Sequence, residues 1–89
     1  MKAVITVVGK DTVGILASVS TECAKHGANI IDVSQTILQD MFCMIMFCDI
    51  EKITLPFGEF SEAIKNVGRE KNLKINVMHE DIFNSMHRI

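Results

Sequence analysis

The sequence predicts an α+β domain of order βαββαβ with a short C-terminal helix. Three observations carry that prediction. The hydrophobic period changes repeatedly along the chain, from alternating stretches to stretches with helical spacing. Glycine, proline and short polar segments fall between these stretches, where turns belong. Two of the four alternating stretches are apolar on both faces, and two on only one. The chain has 89 residues, which accommodates one domain with a single thin core. Residues 1–79 form that core and 80–89 a helical tail.

Ala3 to Val8 (AVITVV) is short and β-branched, so it reads as the first strand. Ala3, Ile5 and Val7 share one face and Val4 and Val8 the other, which suits a central position. The segment from Gly9 to Gly14 is a turn bounded by two glycines. Ile15, Leu16, Val19 and Cys23 then follow helical spacing, with Ser18, Glu22 and Lys25 opposite, so a first helix is expected over about 13–26. Asp11 or Thr12 is placed to cap its N-terminus, and Gly27 to stop it. Asn29 to Leu38 alternates as a half-exposed second strand, with Ile31, Val33 and Ile37 on one face and Asp32, Ser34 and Thr36 on the other. Gln39-Asp40 is a short reversal, and Met41 to Ile50 is a third strand, apolar on both faces. After Pro56, Phe60, Ile64 and Val67 mark a second helix, with Gly68 weakening its interior by about 1 kcal/mol relative to Ala. Leu73, Ile75 and Val77 alternate with Lys74 and Asn76 as a one-sided fourth strand. Ile82, Phe83 and Met86 mark the tail helix.

Strands apolar on both faces belong in the middle of a sheet. This gives the antiparallel order 4-1-3-2, a ferredoxin-like sandwich. Right-handed crossovers place both helices on one face. The centre of the other face is left apolar, to be covered by the tail helix or by a second subunit.

Composition excludes several functions. The net charge is −2, the pI is near 5.8 and no basic stripe is visible, so no nucleic-acid partner is expected. RNA-binding domains of this topology stack bases on aromatics of the two central strands. Here the first strand has none, and Phe42 and Phe47 fall on opposite faces. Cys23, Cys43 and Cys48 form no paired framework and read as small buried hydrophobes in a reducing compartment. His26, His79 and His87 are scattered, Cys43 and Cys48 face apart, and no metal site is expected. His79 and His87 read as solvated or as capping the tail helix. Ser-His-acid sets and paired carboxylates are lacking, and the arginines, Arg69 and Arg88, lie far from the first loop that acylphosphatases of this topology use. The reading is therefore not an enzyme, with no catalytic residues and no cofactor. The apolar stretch at 3–8 is too short for a secretory leader and no run reaches a membrane span. A cytoplasmic location with no membrane partner is expected.

The most informative segment is VVGKDTVGIL at 7–16, followed by GANIID at 27–32. A glycine-containing loop there precedes a helix N-terminus, whose free backbone N–H groups attract anions. Gly14 permits close approach, and Asn29 offers a donor and an acceptor. Asp11, Gly14, Ile15, Leu16, Gly27, Asn29 and Ile30 in this order resemble the signature of ACT domains, the ligand-sensing modules of amino-acid metabolism. The whole-chain layout resembles small stand-alone bacterial and archaeal ACT proteins of uncharacterised function, and the module of the glycine-cleavage regulator. The resemblance implies a homodimer, paired through the second strand and first helix, that binds an amino acid at its interface. Its implied ligand residues are Asp11, Thr12, Val13, Gly14, Ile15, Asn29 and Ile30. The proline frequent between the Asp and Gly of such loops is replaced here by Thr12-Val13. Signal would pass to an unknown protein partner. The alternative is a ligand-free protein–protein interaction or dimerisation module. The long second strand, with Asp32 as its one charge and no proline, favours pairing on its own account.

Overall fold

A computed structural model describes residues 1–10 and 13–86. It contains β1 (Lys2–Lys10), α1 (Ile15–Lys25), β2 (Asn29–Leu38), β3 (Met41–Asp49), α2 (Phe57–Lys71), β4 (Leu73–His79) and α3 (Glu80–Met86). The four strands form one sheet of order β2-β3-β1-β4, with antiparallel neighbours throughout. This is the expected 4-1-3-2 order read from the opposite edge. The two strands that are apolar on both faces occupy its centre.

One face of the sheet carries the core. Ala3, Ile5 and Val7 of β1 and Phe42, Met44, Met46 and Cys48 of β3 are buried there, with Leu73 and Ile75 of β4. Ile15, Val19 and Cys23 of α1 and Phe60 and Ile64 of α2 close over them. Each Val, Leu, Ile, Phe or Met among them contributes roughly 1.5–3 kcal/mol when fully buried. Gly68 has a packing role. A Cβ on it would stand 2.7 Å from the Leu73 carbonyl oxygen and 2.8 Å from Ile75 Cγ1, so its absence lets α2 lie directly on β4.

Several local expectations change. Gly14, with φ 85°, is the N-cap of α1, in place of Asp11 or Thr12, which lie outside the described residues. Leu16 turns away from the core at 38% exposure. The helix stops as expected: Gly27 takes φ 83°, and the N–H groups of Gly27 and Ala28 donate to the carbonyls of Ala24 (3.1 Å) and Cys23 (2.9 Å), a Schellman closure. In β2 a bulge lies between Ile30 and Asp32, so Ile30 joins Val33 against the core and Ile31 is exposed. A bulge inserts one residue into the alternation and swaps the face of everything before it. The β2–β3 turn works without glycine because Gln39 adopts φ 58°. Cys43 is exposed, whereas Cys23 and Cys48 are buried. His79 stacks on Phe57 at 4.1 Å between ring centroids and is half-buried, not solvated. His87 and the end of the expected tail helix lie outside the described residues. Phe83 of α3 packs edge-on against Phe47 at 5.7 Å, so α3 covers part of the second sheet face.

Candidate functional site

The motif residues divide between the two ends of the sheet. Val13, Gly14 and Ile15 follow the C-terminal end of β1. Val13 is 93% exposed, and a Cβ built on Gly14 would meet nothing within 4 Å, so this corner is open. The first intrahelical bond runs from the Ser18 N–H to the Gly14 carbonyl at 2.9 Å. The N–H groups of Ile15, Leu16 and Ala17 therefore have no acceptor within the helix. Gly14 offers no side chain to cap them, and the first turn has no acidic residue. Among the described residues nothing caps the positive end of the helix dipole, which favours an anion there. Ile15 itself is anchored in the core, so its backbone, not its side chain, is what a ligand could meet.

Asn29 stands at the other end. It opens β2, is exposed, and pairs with Asp49, which pairs in turn with Lys2 at the start of β1. A cleft of about 230 Å³ lies here, lined by Gly27, Asn29, Asp49, Glu51 and Lys52. One wall is firm: the Thr54 N–H donates to the His26 carbonyl at 3.0 Å, and Lys52's carbonyl would meet a Gly27 Cβ at 2.7 Å. The Asp49 carboxylate accepts the Glu51 N–H at 2.9 Å. A donor–acceptor amide and two carboxylates around one small cleft can receive the ammonium end of a zwitterion. Ile30 points into the core and supports this cleft without lining it. The charged run Asp49 to Lys52 was present in the sequence as DIEK. It reads as an ordinary strand end until the fold sets it beside Asn29.

The separation of the two ends is large. The Asn29–Asp49–Lys2 row and the Leu38–Met41–Lys10 row lie eight β1 residues apart, roughly 26 Å at ~3.3 Å per residue. No small molecule spans that distance within one protomer. Asp11 and Thr12, the other expected ligand residues, lie outside the described residues.

Elsewhere, Cys23 and Cys48 adjoin across α1 and β3. The hydrogen bond with Cys48, together with burial, pushes the Cys23 thiol above its usual range and keeps it protonated. His26 meets Glu22 at 2.8 Å on the surface of α1. Among the described residues, no group of three or more His, Cys, Asp or Glu is placed to hold a metal ion. No described helix is long and apolar enough to cross a membrane.

The strand β2 is a sheet edge, and Ile31 (49%), Ile37 (56%) and nearby Leu16 of α1 (38%) are exposed. Apolar groups along an open edge are what a pairing strand would cover.

Comparison with known proteins places these features in context. The ACT domain family model matches residues 2–77. A UPF0237 protein of Methanococcus maripaludis is 52% identical over 86 residues, covering 97% of this chain and 96% of that protein. An ACT domain protein of Streptococcus pneumoniae superposes with a TM-score of 0.81 at 40% identity, covering 98% of each chain. A putative glycine cleavage system transcriptional repressor shares the fold, with a TM-score of 0.73 at 24% identity, over 89% of this chain and 47% of that one.

Proposed function

The chain belongs to the ACT domain family, and from that premise we propose that it is a non-catalytic regulatory module that senses an amino acid as a homodimer. Residues 1–89 act as one cytoplasmic domain, with the core at 1–79 and the tail at 80–89. Two protomers pair through β2 and α1 in antiparallel fashion. The start of one β2 then lies beside the end of the other, which brings the Asn29 cleft of one protomer toward the α1 N-terminus of its partner. The ligand carboxylate is held by the Gly14–Ala17 amides, with Asp11, Thr12 and Val13 shaping the loop. Its ammonium is held by Asn29 and Asp49. Ligand binding draws the two protomers into one arrangement, which a partner protein reads.

The observation that carries this reading is the division of the motif between opposite ends of the sheet. Complementary halves that cannot meet within a chain fit a site completed by a two-fold partner. The exposed β2 edge supplies the means of bringing them together.

A thermal-shift screen over the twenty amino acids tests the ligand. At 100 times Kd a native-state ligand stabilises by about 2.7 kcal/mol, which raises Tm by more than about 10 °C in a domain of this size. No shift with any amino acid overturns the sensor reading and leaves the ligand-free dimerisation module. Gly14→Ala and Asn29→Ala should each abolish the shift. Alanine is the suitable change at Gly14, since the space is open and only the left-handed backbone costs energy, about 1–2 kcal/mol. Mixing and re-annealing the two variants should restore about a quarter of the sites, because each heterodimer regains one intact site of its two. No restoration would place the site within one protomer.

A further inference from the structure

Among the described residues, the sheet face opposite α1 and α2 is covered over only one half. Near the start of β1, α3 lies on it: Phe83 meets Phe47, and Val4, which pairs with Phe47 and stands outside the main core, is fully buried. The outward side of α3 is apolar, with Ile82 53% and Met86 66% exposed. Toward the other end of β1 the face is bare. Val8 is 41%, Met41 43% and Leu38 71% exposed there, and Cys43 is exposed beside Val8. Strand register places all four on this face, away from the buried row of Val7, Met44 and Phe42. Charge is also uneven, although Lys2 stands at the α3 corner with Glu80 and Asp81. Glu80 and Asp81 begin α3, whereas Lys74 and Lys10 flank the bare half.

We propose that this face is a second self-association surface, occupied by another copy of the chain. A two-fold axis running across the strands exchanges the two halves. The α3 of each copy then rests on the bare half of the other, and the two helices lie side by side between the sheets. The same operation keeps the β4 side over the β4 side. Glu80 and Asp81 of one copy are thereby brought to Lys74 and Lys10 of the other, so charge complementarity favours this orientation. A step and a bare ledge on one face are self-complementary in shape under this axis alone. The broad face measures 35 × 34 Å, sufficient for the ~800 Å² per partner of a stable interface. An isologous contact of this kind saturates at two copies. With the β2 pairing it makes a closed assembly of four chains. The inference does not rest on the amino-acid reading, since neither Gly14 nor Asn29 takes part.

Cys43 provides the test, because pairing along β2 leaves it open and face-to-face association covers it. An aromatic disulfide reagent should modify Cys43 in dilute protein. Once nine in ten protomers are associated, that reaction should slow about tenfold. Lys74→Glu, on an exposed residue, should halve the mass seen in sedimentation and return Cys43 to its dilute rate. Adding Asp81→Lys to that chain should restore both, since the charge pair is re-formed in reverse. Ile37→Lys at the β2 edge should break the other pairing and leave Cys43 protected. A Cys43 rate independent of protein concentration, or a Lys74→Glu mass equal to that of the unaltered chain, overturns the proposal.

Discussion

Alanine at Gly68 and alanine at Gly58 add the same methyl group to the same helix, and the structure assigns them opposite effects. At Gly58 the new Cβ meets nothing within 4 Å. Only the backbone term acts there, and replacing glycine should stabilise by up to about 0.5–1 kcal/mol. At Gly68 the same helix-propensity gain is opposed by packing. The methyl would stand 2.7 Å from the Leu73 carbonyl oxygen, 2.8 Å from Ile75 Cγ1 and 3.0 Å from its Cδ1. Carbon contacts are comfortable only near ~3.5–4.0 Å, so α2 has to move off β4 by several tenths of an ångström. Leu73 is held by its pairing with Gly9, and Ile75 is 6% exposed, so neither gives way freely. Overpacking of this kind costs ~1–3 kcal/mol, and the contact with backbone puts it at the upper end. After the propensity gain, the net loss is about 1–2 kcal/mol, or roughly 5–15 °C in Tm. Urea unfolding of both variants measures it, with the midpoint falling for Gly68→Ala and rising for Gly58→Ala at a common slope. Adding Ile75→Val should recover part of the loss by removing the Cδ1 contact. A Gly68→Ala protein as stable as the parent chain would refute the close packing of α2 on β4.

Three further outcomes follow from named contacts. Phe83→Ala removes the edge-on contact with Phe47 and should cost about 1–2 kcal/mol, with amide exchange accelerating across Glu80–Met86 while the core stays protected; simultaneous loss of core protection would contradict a peripheral α3. In the native protein a thiol reagent should modify Cys43 ahead of Cys23 and Cys48, and Cys48→Ser should destabilise by about 1–3 kcal/mol whereas Cys43→Ser stays within about 0.5, as chemical denaturation would measure. His79→Ala loses the stack on Phe57 and should lower stability by about 0.5–1.5 kcal/mol, read as a shift in denaturation midpoint; an unchanged midpoint would show that the stack adds nothing.

The parts of the fold legible in the sequence are those where burial acts on many residues at once. Two-faced apolarity placed β1 and β3 at the centre because every residue from Ala3 to Val8 and from Met41 to Cys48 bears on the decision. Gly27 was legible because a left-handed C′ residue admits few alternatives. What escaped was decided by single residues. Ile30 and Ile31 are chemically identical, so nothing in the alternation says which faces the core once a bulge intervenes. Gln39 takes a positive φ that its side chain does not advertise. Gly68 reads as a weak point in a helix until the nearness of β4 shows why a methyl group is excluded. The bulge at Ile30–Asp32 and the packing of Gly68 each depend on a neighbouring strand outside the local pattern.

The motif runs continuously from Asp11 to Asp32, which invites the picture of one pocket. Yet α1 between its two halves carries the chain back along the sheet, so closeness in sequence becomes separation in space. Gly14 follows the Lys10 end of β1, and Asn29 lies in the row of Lys2 at its other end. A motif with this geometry is informative about an assembly more than about a chain. On the proposed reading, these two corners would face each other across an antiparallel β2 pairing. The exposed apolar residues Ile31, Ile37 and Leu16 lie where that pairing would cover them. Binding and dimerisation are then one equilibrium: a ligand held between Gly14 of one protomer and Asn29 of another must tighten the dimer by the same factor by which the dimer tightens the ligand. Measured dimer dissociation with and without a bound amino acid should therefore differ by the ratio of that ligand's affinities for dimer and monomer. An amino acid that binds while leaving dimer dissociation unchanged would detach the site from the β2 interface.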